Sequence, residues 1–309
     1  MKKIILANPR GFCAGVDRAI TIVEKALEKY GAPVYVRHEV VHNKYVVDGL
    51  KQRGAIFIEE IKDVPESSIL IYSAHGVPLA IREEALAKNL TMVFDATCPL
   101  VSKVHVEIKN LHRQNYTIIM IGHKGHPEVE GTMGQVTDHI HLIENEADID
   151  SLLIPRDIEK IAVVTQTTLS VDETKSIIAK LMQVFSNLRL PKNEDICYAT
   201  QNRQDAVKEM AEYCDVVLVI GSKNSSNSNR LKELAENLGV KAYLIDFDYE
   251  IQGEWLNDAS TVGVTAGASA PEVLVEGVIK RLQQQGFSTT EILNVVEEHM
   301  TFALPSELR

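Results

Sequence analysis

No stretch of this sequence approaches the roughly 18 apolar residues that a membrane span needs. Its longest apolar runs are short, such as IIMI at 118–121 and VVLVI at 216–220. Positive charge is not in excess either. The formal net charge of −11 argues against a nucleic-acid coat or a membrane-surface protein. A secretory leader is not expected: MKKIILANPRGF has two lysines and an apolar run, but Asn8, Pro9 and Arg10 end it too early. That segment reads as a first strand, and a cytoplasmic location follows. The motifs G-x-x-x-x-G-K-[ST] and G-x-G-x-x-G do not occur, so neither a nucleotide P-loop nor a Rossmann dinucleotide site has its fingerprint. There is no Gly-, Ser- or Pro-rich linker and no low-complexity tract. The four cysteines form no C-x-x-C pair, and a large chain without a leader would keep its thiols reduced.

What is present is an ordinary globular composition, 45% hydrophobic and 24% charged over 309 residues, enough for two or three domains. Short β-rich runs alternate with helical patterns, which predicts an α/β protein with mostly parallel sheets. The alternation repeats three times. Each copy opens on an apolar strand, a cysteine and a helix: KKIILANPRGFCAGVDRAITIVEKAL, TMVFDATCPLVSKVHVEIKNL and EDICYATQNRQDAVKEMAEY, the last with the weakest strand signal. About thirty residues on, each copy has a polar loop, HEVVHNKYV, GHKGHPEVEGTMG and GSKNSSNSNR. A third strand and polar turn close each copy, YSAHGVPLAIREEA, TQTTLSVDETKSII and TAGASAPEVLVEGVI. In the last two, Ser170 with Glu173 and Ser269 with Glu272 fit the S-x-x-E capping pattern. The expected architecture is three small α/β domains in a pseudo-threefold, trefoil arrangement: 14–97, 98–195, and 196–285 with the N-terminal strand 1–13. Residues 286–309 would form a C-terminal tail that docks through Phe302, Leu304 and Leu308, with the site as one place it could cover and the sequence leaving that choice open.

Ligand-binding residues collect at the C-terminal ends of parallel strands, so equivalent loops of the repeat carry the candidates. Three thiols, Cys13, Cys98 and Cys197, occupy equivalent turns. They suit a zinc ion or an iron–sulfur cluster, although zinc sites usually draw on close cysteine pairs. A cuboidal 4Fe-4S cluster normally takes four cysteines. On three, its fourth iron stays open to bind a substrate as a Lewis acid. Cys214 has no counterpart in the other copies and reads as a buried structural thiol. His42, His75 and His126, with Thr167, Ser225, Ser226, Asn227 and Ser269, suit a phosphate-type anion where SSNSN and GASAP lead into helices. SSNSN taken alone would be an ordinary helix cap. Glu128, two residues after His126, is a candidate proton donor, or else a helix-start acid beside Pro127. Glu130 better fits the second role.

The segments ANPRGFCAGVDRAI, VVHNKYVV, SAHGVP, FDATCPLV, GHKGHPEVEGTMGQ, TQTTLS, DICYAT, GSKNSSNSNRL and TAGASAP closely resemble the 4-hydroxy-3-methylbut-2-enyl diphosphate reductase family, in order and over nearly the whole chain. The resemblance implies a 4Fe-4S cluster on Cys13, Cys98 and Cys197 and reductive loss of the C4 hydroxyl of an allylic diphosphate, giving isopentenyl and dimethylallyl diphosphates. It also implies that His42, His75, His126, Ser225, Ser226, Asn227 and Ser269 hold the diphosphate, with Glu128 as proton donor and Thr167 beside the substrate hydroxyl. A flavodoxin- or ferredoxin-type protein would supply electrons. The competing readings are a quinolinate synthase-like 4Fe-4S dehydratase, a non-enzymatic iron–sulfur sensor and a zinc-binding structural protein.

Overall fold

A computed structural model of the chain describes residues 2–191 and 194–309. Its elements run β1 (Lys3–Asn8), α1 (Ala14–Tyr30), β2 (Val34–Arg37), α2 (Lys44–Gln52), β3 (Ala55–Ile58), β4 (Ile69–Tyr72), α3 (Leu79–Ala87) and β5 (Met92–Asp95). Then come α4 (Pro99–Arg113), β6 (Thr117–Ile121), α5 (Pro127–Met133), β7 (Ile140–Ile143), β8 (Ile161–Thr165), α6 (Val171–Val184) and β9 (Leu188–Arg189). The chain ends with α7 (Tyr198–Ala211), β10 (Val216–Ile220), α8 (Ser226–Asn237), β11 (Lys241–Ile245), β12 (Thr261–Ala266), α9 (Glu272–Gln284) and β13 (Thr289–Asn294). Among the described residues no helix is long and apolar enough to cross a membrane.

The strands form three sheets, ordered β3-β2-β4-β5, β7-β6-β8-β9 and β11-β10-β12-β1-β13. Every pairing is parallel. The repeat in the sequence is thus a repeat of sheet order. In the three sheets β3, β7 and β11 lie on one side of β2, β6 and β10, and β4, β8 and β12 lie on the other side. That reversal leaves a crevice at the C-terminal ends of two neighbouring strands, where open α/β sheets bind ligands. The crevices lie between β2 and β4, β6 and β8, and β10 and β12.

Two compact units are present: Met1–Asp17, Val41–Gly49 and Tyr198–Thr301 form the first, and Arg18–Val40, Leu50–Cys197 and Phe302–Arg309 the second. The five-stranded sheet lies in the first unit. Its strands alternate side chains between two cores, as a period of two requires. Ile4, Leu6, Leu218, Ile220, Val262 and Val264 pack toward Val275, Val278 and Leu282 of α9, while Ile5, Ala7, Val217 and Val219 face Ala206, Val207 and Met210 of α7 and Leu231 of α8. In the second unit the β6–β8 sheet does the same. Ile119, Ile121, Ile161 and Val163 pack against Ile177 and Leu181 of α6, and Ile118, Met120, Ala162 and Val164 against Val104, Ile108 and Leu111 of α4.

Two local expectations need correction. Among the described residues no strand leads directly into Cys197: the nearest, β9, ends at Arg189. The carboxylate of Asp195 accepts the Thr165 N–H at 3.0 Å, so a side chain takes the place of a ladder hydrogen bond there. Ser269 does not cap a helix. Pro271 stands at the start of α9, and the Ser269 hydroxyl donates to the His42 carbonyl at 2.8 Å. Its partner in the capping pattern, Glu272, pairs with Arg10 instead at 2.5 Å. Ser170 does cap α6, accepting the Glu173 N–H. The segment 286–309 opens with β13, which extends the five-stranded sheet beside β1.

Candidate functional site

In the first unit, α8 starts where β10 ends, at one lip of the crevice between β10 and β12. Ser225 is its N-cap, accepting the Ser228 N–H. The close approach depends on two glycines. A Cβ on Gly221 or Gly267 would lie 2.1 or 2.0 Å from the Ser228 hydroxyl, so only glycine lets the helix N-terminus settle over both strand ends. At the other lip, after β12, the Ala268 N–H donates to Asn227 Oδ1 at 2.9 Å, and the Ala268 carbonyl accepts the Cys13 N–H at 3.2 Å. One residue therefore fixes both Asn227 and Cys13. With Oδ1 committed, the buried Nδ2 of Asn227 has no protein partner among the described residues. A buried unpaired donor carries a desolvation cost, which an anionic ligand would offset.

His42 joins the same group. Its carbonyl accepts from Ser269, and its Nδ1 lies 3.4 Å from Asn224 Nδ2. The neighbouring Asn43 is buried and uses its side-chain oxygen to accept the Val46 N–H at 3.1 Å, capping α2. Ser222 accepts the Lys44 N–H at 2.9 Å and donates to Asp246. Two helix N-termini, of α2 and α8, thus lie among the hydroxyls and amides of this unit, and their N–H groups favour an anion. Sequence reasoning missed Asn43 and Ser222. An Asn just ahead of a helical pattern was the available signal for the first; Ser222 had none.

In the second unit, Glu128 sits in the first turn of α5, beyond β6, and is only 3% exposed. Thr167, just past β8, meets it across the crevice between those strands. The Thr167 N–H donates to Glu128 Oε1 at 2.6 Å and its hydroxyl to Oε2 at 3.0 Å. Burial raises the Glu128 carboxyl to about 7, and the negative charge of Asp195 adds to the rise; the two Thr167 hydrogen bonds oppose it. Desolvation outweighs hydrogen bonding here, so this acid is poised near neutrality. The Glu128 N–H donates to His126 Nδ1 at 3.1 Å. The acceptor role of Nδ1 puts the ring proton of neutral His126 on Nε2. The rings of His126 and His75 meet edge to face, 5.8 Å apart, and Ser73 Oγ lies 3.3 Å from His75 Nδ1. His105, by contrast, is buried against Thr132 at 3.1 Å and pushed down to about 4 by desolvation. It is a neutral packing histidine.

All three candidate cysteines occupy one kind of place, directly ahead of the first turn of a helix: α1 after Cys13, α4 after Cys98 and α7 after Cys197. All three are half-buried, whereas Cys214 is buried and raised to about 12 by desolvation. Unpaired N–H groups at a helix start favour a thiolate. Each turn is pinned through its backbone. The Cys98 N–H donates to the Ala74 carbonyl at 2.9 Å and the Cys197 N–H to Thr167 at 3.0 Å. Cys98 is thereby tied to the loop of His75, and Cys197 to the partner of Glu128. Among the described residues no three His, Cys, Asp or Glu side chains form a group that could hold a single metal ion. A cuboidal cluster spreads its thiolates over separate irons and needs no such group. Half-buried thiols anchored through their backbone at helix starts fit the donor set of an iron–sulfur cluster.

Residues 4–283 match the family model described as LytB protein. Over its full length the chain is 60% identical to the 4-hydroxy-3-methylbut-2-enyl diphosphate reductases of Aromatoleum aromaticum and Chromobacterium violaceum, covering 98% of each. The solved structure of the E-1-hydroxy-2-methyl-but-2-enyl-4-diphosphate reductase from Plasmodium falciparum is 40% identical, covers 99% of this chain and 96% of its own, and has a TM-score of 0.96. A second solved structure, of an (E)-4-hydroxy-3-methyl-but-2-enyl diphosphate reductase described as the terminal enzyme of the non-mevalonate pathway, is 34% identical. It covers 92% of this chain and 100% of its own, with a TM-score of 0.65. Three parallel sheets of repeated order, the loops at their crevices and this full-length similarity lead to one assignment: the chain belongs to the LytB protein family.

Proposed function

We propose that this protein is the reductase that removes the C4 hydroxyl of (E)-4-hydroxy-3-methylbut-2-enyl diphosphate as water, yielding isopentenyl and dimethylallyl diphosphates at the end of the methylerythritol phosphate route. The single observation that carries the chemistry is Glu128, a buried carboxyl raised to about 7 and held by both donors of Thr167. Such a group keeps its proton near neutral pH and can give it to a leaving oxygen.

Cys13, Cys98 and Cys197 would hold one 4Fe-4S cluster. When bound, its open fourth iron supplies a Lewis acid for the hydroxyl oxygen and a route for electrons. The protein's own residues do the rest. Glu128, with Thr167 beside it, delivers a proton to the departing hydroxyl, and His126 orients Glu128 through the Glu128 N–H. The overall change consumes two electrons and two protons. One proton leaves in water and the other reaches carbon at either end of the allyl unit, which gives two isomeric products. His42, His75, His126, Ser225, Ser226, Asn227 and Ser269 bind the diphosphate, as the anion-seeking helix starts and the open Asn227 amide support. A flavodoxin- or ferredoxin-type donor in the cytoplasm would feed the electrons. The repeat of sheet order supports a division into three α/β domains, 14–97, 98–195 and 196–285 with 1–13, followed by the tail 286–309.

The test is an anaerobic visible and EPR spectrum of the iron-loaded protein with and without the allylic diphosphate, together with an assay of electron consumption. A cluster spectrum that changes on adding substrate, with electrons consumed, is the expected result. Absence of cluster absorption, or turnover without electron uptake, would reject the assignment.

A further inference from the structure

Among the described residues Arg203 is the largest side chain that the fold buries completely, at 0% exposure, and no role in binding or proton transfer accounts for it. It lies on α7 in the first unit. Its Nε and Nη2 donate to the Gly11 carbonyl at 3.1 and 2.7 Å, Nη2 also to the Phe12 carbonyl at 3.5 Å, and Nη1 to Ala199 at 2.9 Å. Gly11 and Phe12 directly precede Cys13. Gly11 has φ +64, which glycine adopts without strain, and the guanidinium holds the turn through its carbonyl. A buried guanidinium in turn needs a counter-charge. Glu298, beyond β13, supplies it, pairing with Nη1 at 2.9 Å and Nη2 at 3.2 Å. Asn202 donates to the same carboxylate at 3.0 Å. The fork-to-fork geometry is the strongest form of the pair and the most directional.

The second unit repeats the device with different residues. Arg18 of α1 donates through Nε to the Ala303 carbonyl at 2.8 Å, through Nη1 to the Thr97 carbonyl at 3.3 Å and through Nη2 to the Asp95 backbone carbonyl at 3.4 Å. Thr97 directly precedes Cys98, and the charge of Arg18 interacts with that thiol as well. Beyond Ala303 the segment is anchored by the buried Leu308 and by Lys29 on the Glu307 carbonyl.

We infer that the C-terminal segment from Glu298 to Leu308 is a strap for two cysteine turns: Glu298 fixes the turn of Cys13 through Arg203, and the Ala303 carbonyl fixes that of Cys98 through Arg18. Arg203 and Arg18 are positioning residues. The consequence for cluster retention rests on the reading that these cysteines carry the cluster.

The test uses the iron-loaded protein under anaerobic conditions and two variants, Glu298→Gln and a chain ending at Thr301. Iodoacetamide labelling, read by peptide mass spectrometry, reports which cysteine loosens first, and visible absorbance under excess chelator reports iron release. Glu298→Gln should label Cys13 ahead of Cys98 and Cys197. The shortened chain should label Cys98 first. Each should release iron about tenfold faster than the parent, the scale of one lost charge-assisted hydrogen bond. Glu298→Asp keeps the charge and should recover most of the parent's retention. Uniform labelling in both variants, as general loosening would give, overturns the strap, as does unchanged release. If the parent binds no cluster, the functional assignment fails, while the order of labelling still decides the strap.

Discussion

Thr167→Val offers the sharpest test of how the acid is tuned. The substitution preserves side-chain shape and the backbone N–H that reaches Glu128 Oε1 but deletes the hydroxyl on Oε2. That hydroxyl favours the ionised carboxylate and so holds down a carboxyl that burial has raised to about 7. A hydrogen bond to a charged group contributes roughly 1.5–3 kcal/mol, and one pKa unit corresponds to about 1.4 kcal/mol. The neutral acid loses a weaker bond at the same time, so the net rise is about one unit. In the wild type, kcat/KM should fall as pH rises through about 7, because the donor must be protonated. In Thr167→Val that descent should move to about 8, while Thr167→Ser keeps it in place. The assay is a pH series from 6 to 9.5 on iron-loaded protein, with the allylic diphosphate and reduced methyl viologen as electron source. A descent that stays at its wild-type position or moves to lower pH in Thr167→Val would refute the link between Thr167 and the acidity of Glu128.

Glu128→Gln should lower turnover by roughly 10²–10⁴, the usual scale for a positioned acid; near-normal turnover would remove Glu128 from the role. Glu128 also sets a slope in stability, because its folded pKa lies above the unfolded one. Between about 4.5 and about 7 the folded state binds more protons, so stability is greatest below that window and falls as pH rises through it, by up to roughly 3 kcal/mol. Urea titrations at both limits should show the decline, and Glu128→Gln should remove its share, leaving the share of Asp195, which burial also raises to about 7. Asn227→Ala removes the open amide of the first unit, together with the Ala268 tie, and should raise KM for the diphosphate at least tenfold, the scale of one lost hydrogen bond to a charged group. An unchanged KM would take Asn227 out of the anion site. Gly267→Ala places a methyl 2.0 Å from the Ser228 hydroxyl and should cost about 1–3 kcal/mol, measurable by thermal unfolding.

Local chemistry made much of this protein legible from its sequence. Apolar period and strand–helix alternation are properties of neighbouring residues, so the three-copy repeat, the first strand at IILAN and the position of Cys13, Cys98 and Cys197 before helices could be read directly. The same register distinguished His75 and His126, whose rings meet, from His105, which is packed away. Where a local motif had two possible partners, the sequence misled: Ser269 resembles a helix cap, yet its hydroxyl turns to His42, far away in the chain.

What the tertiary structure alone decided are the effects of bringing distant residues together and excluding water. Glu128 and Glu130 are near-equivalent acids in one short helix. Only the fold buries the first against Thr167 and leaves the second exposed, and desolvation raises that one carboxyl to about 7. No local sequence motif singles out Arg203. Burial turns it into the hold on the Cys13 turn, because a guanidinium without water must spend its N–H groups on Gly11, Phe12, Ala199 and Glu298. A sequence specifies which groups can ionise or donate; the dielectric and the partners each one meets exist only once the chain has folded.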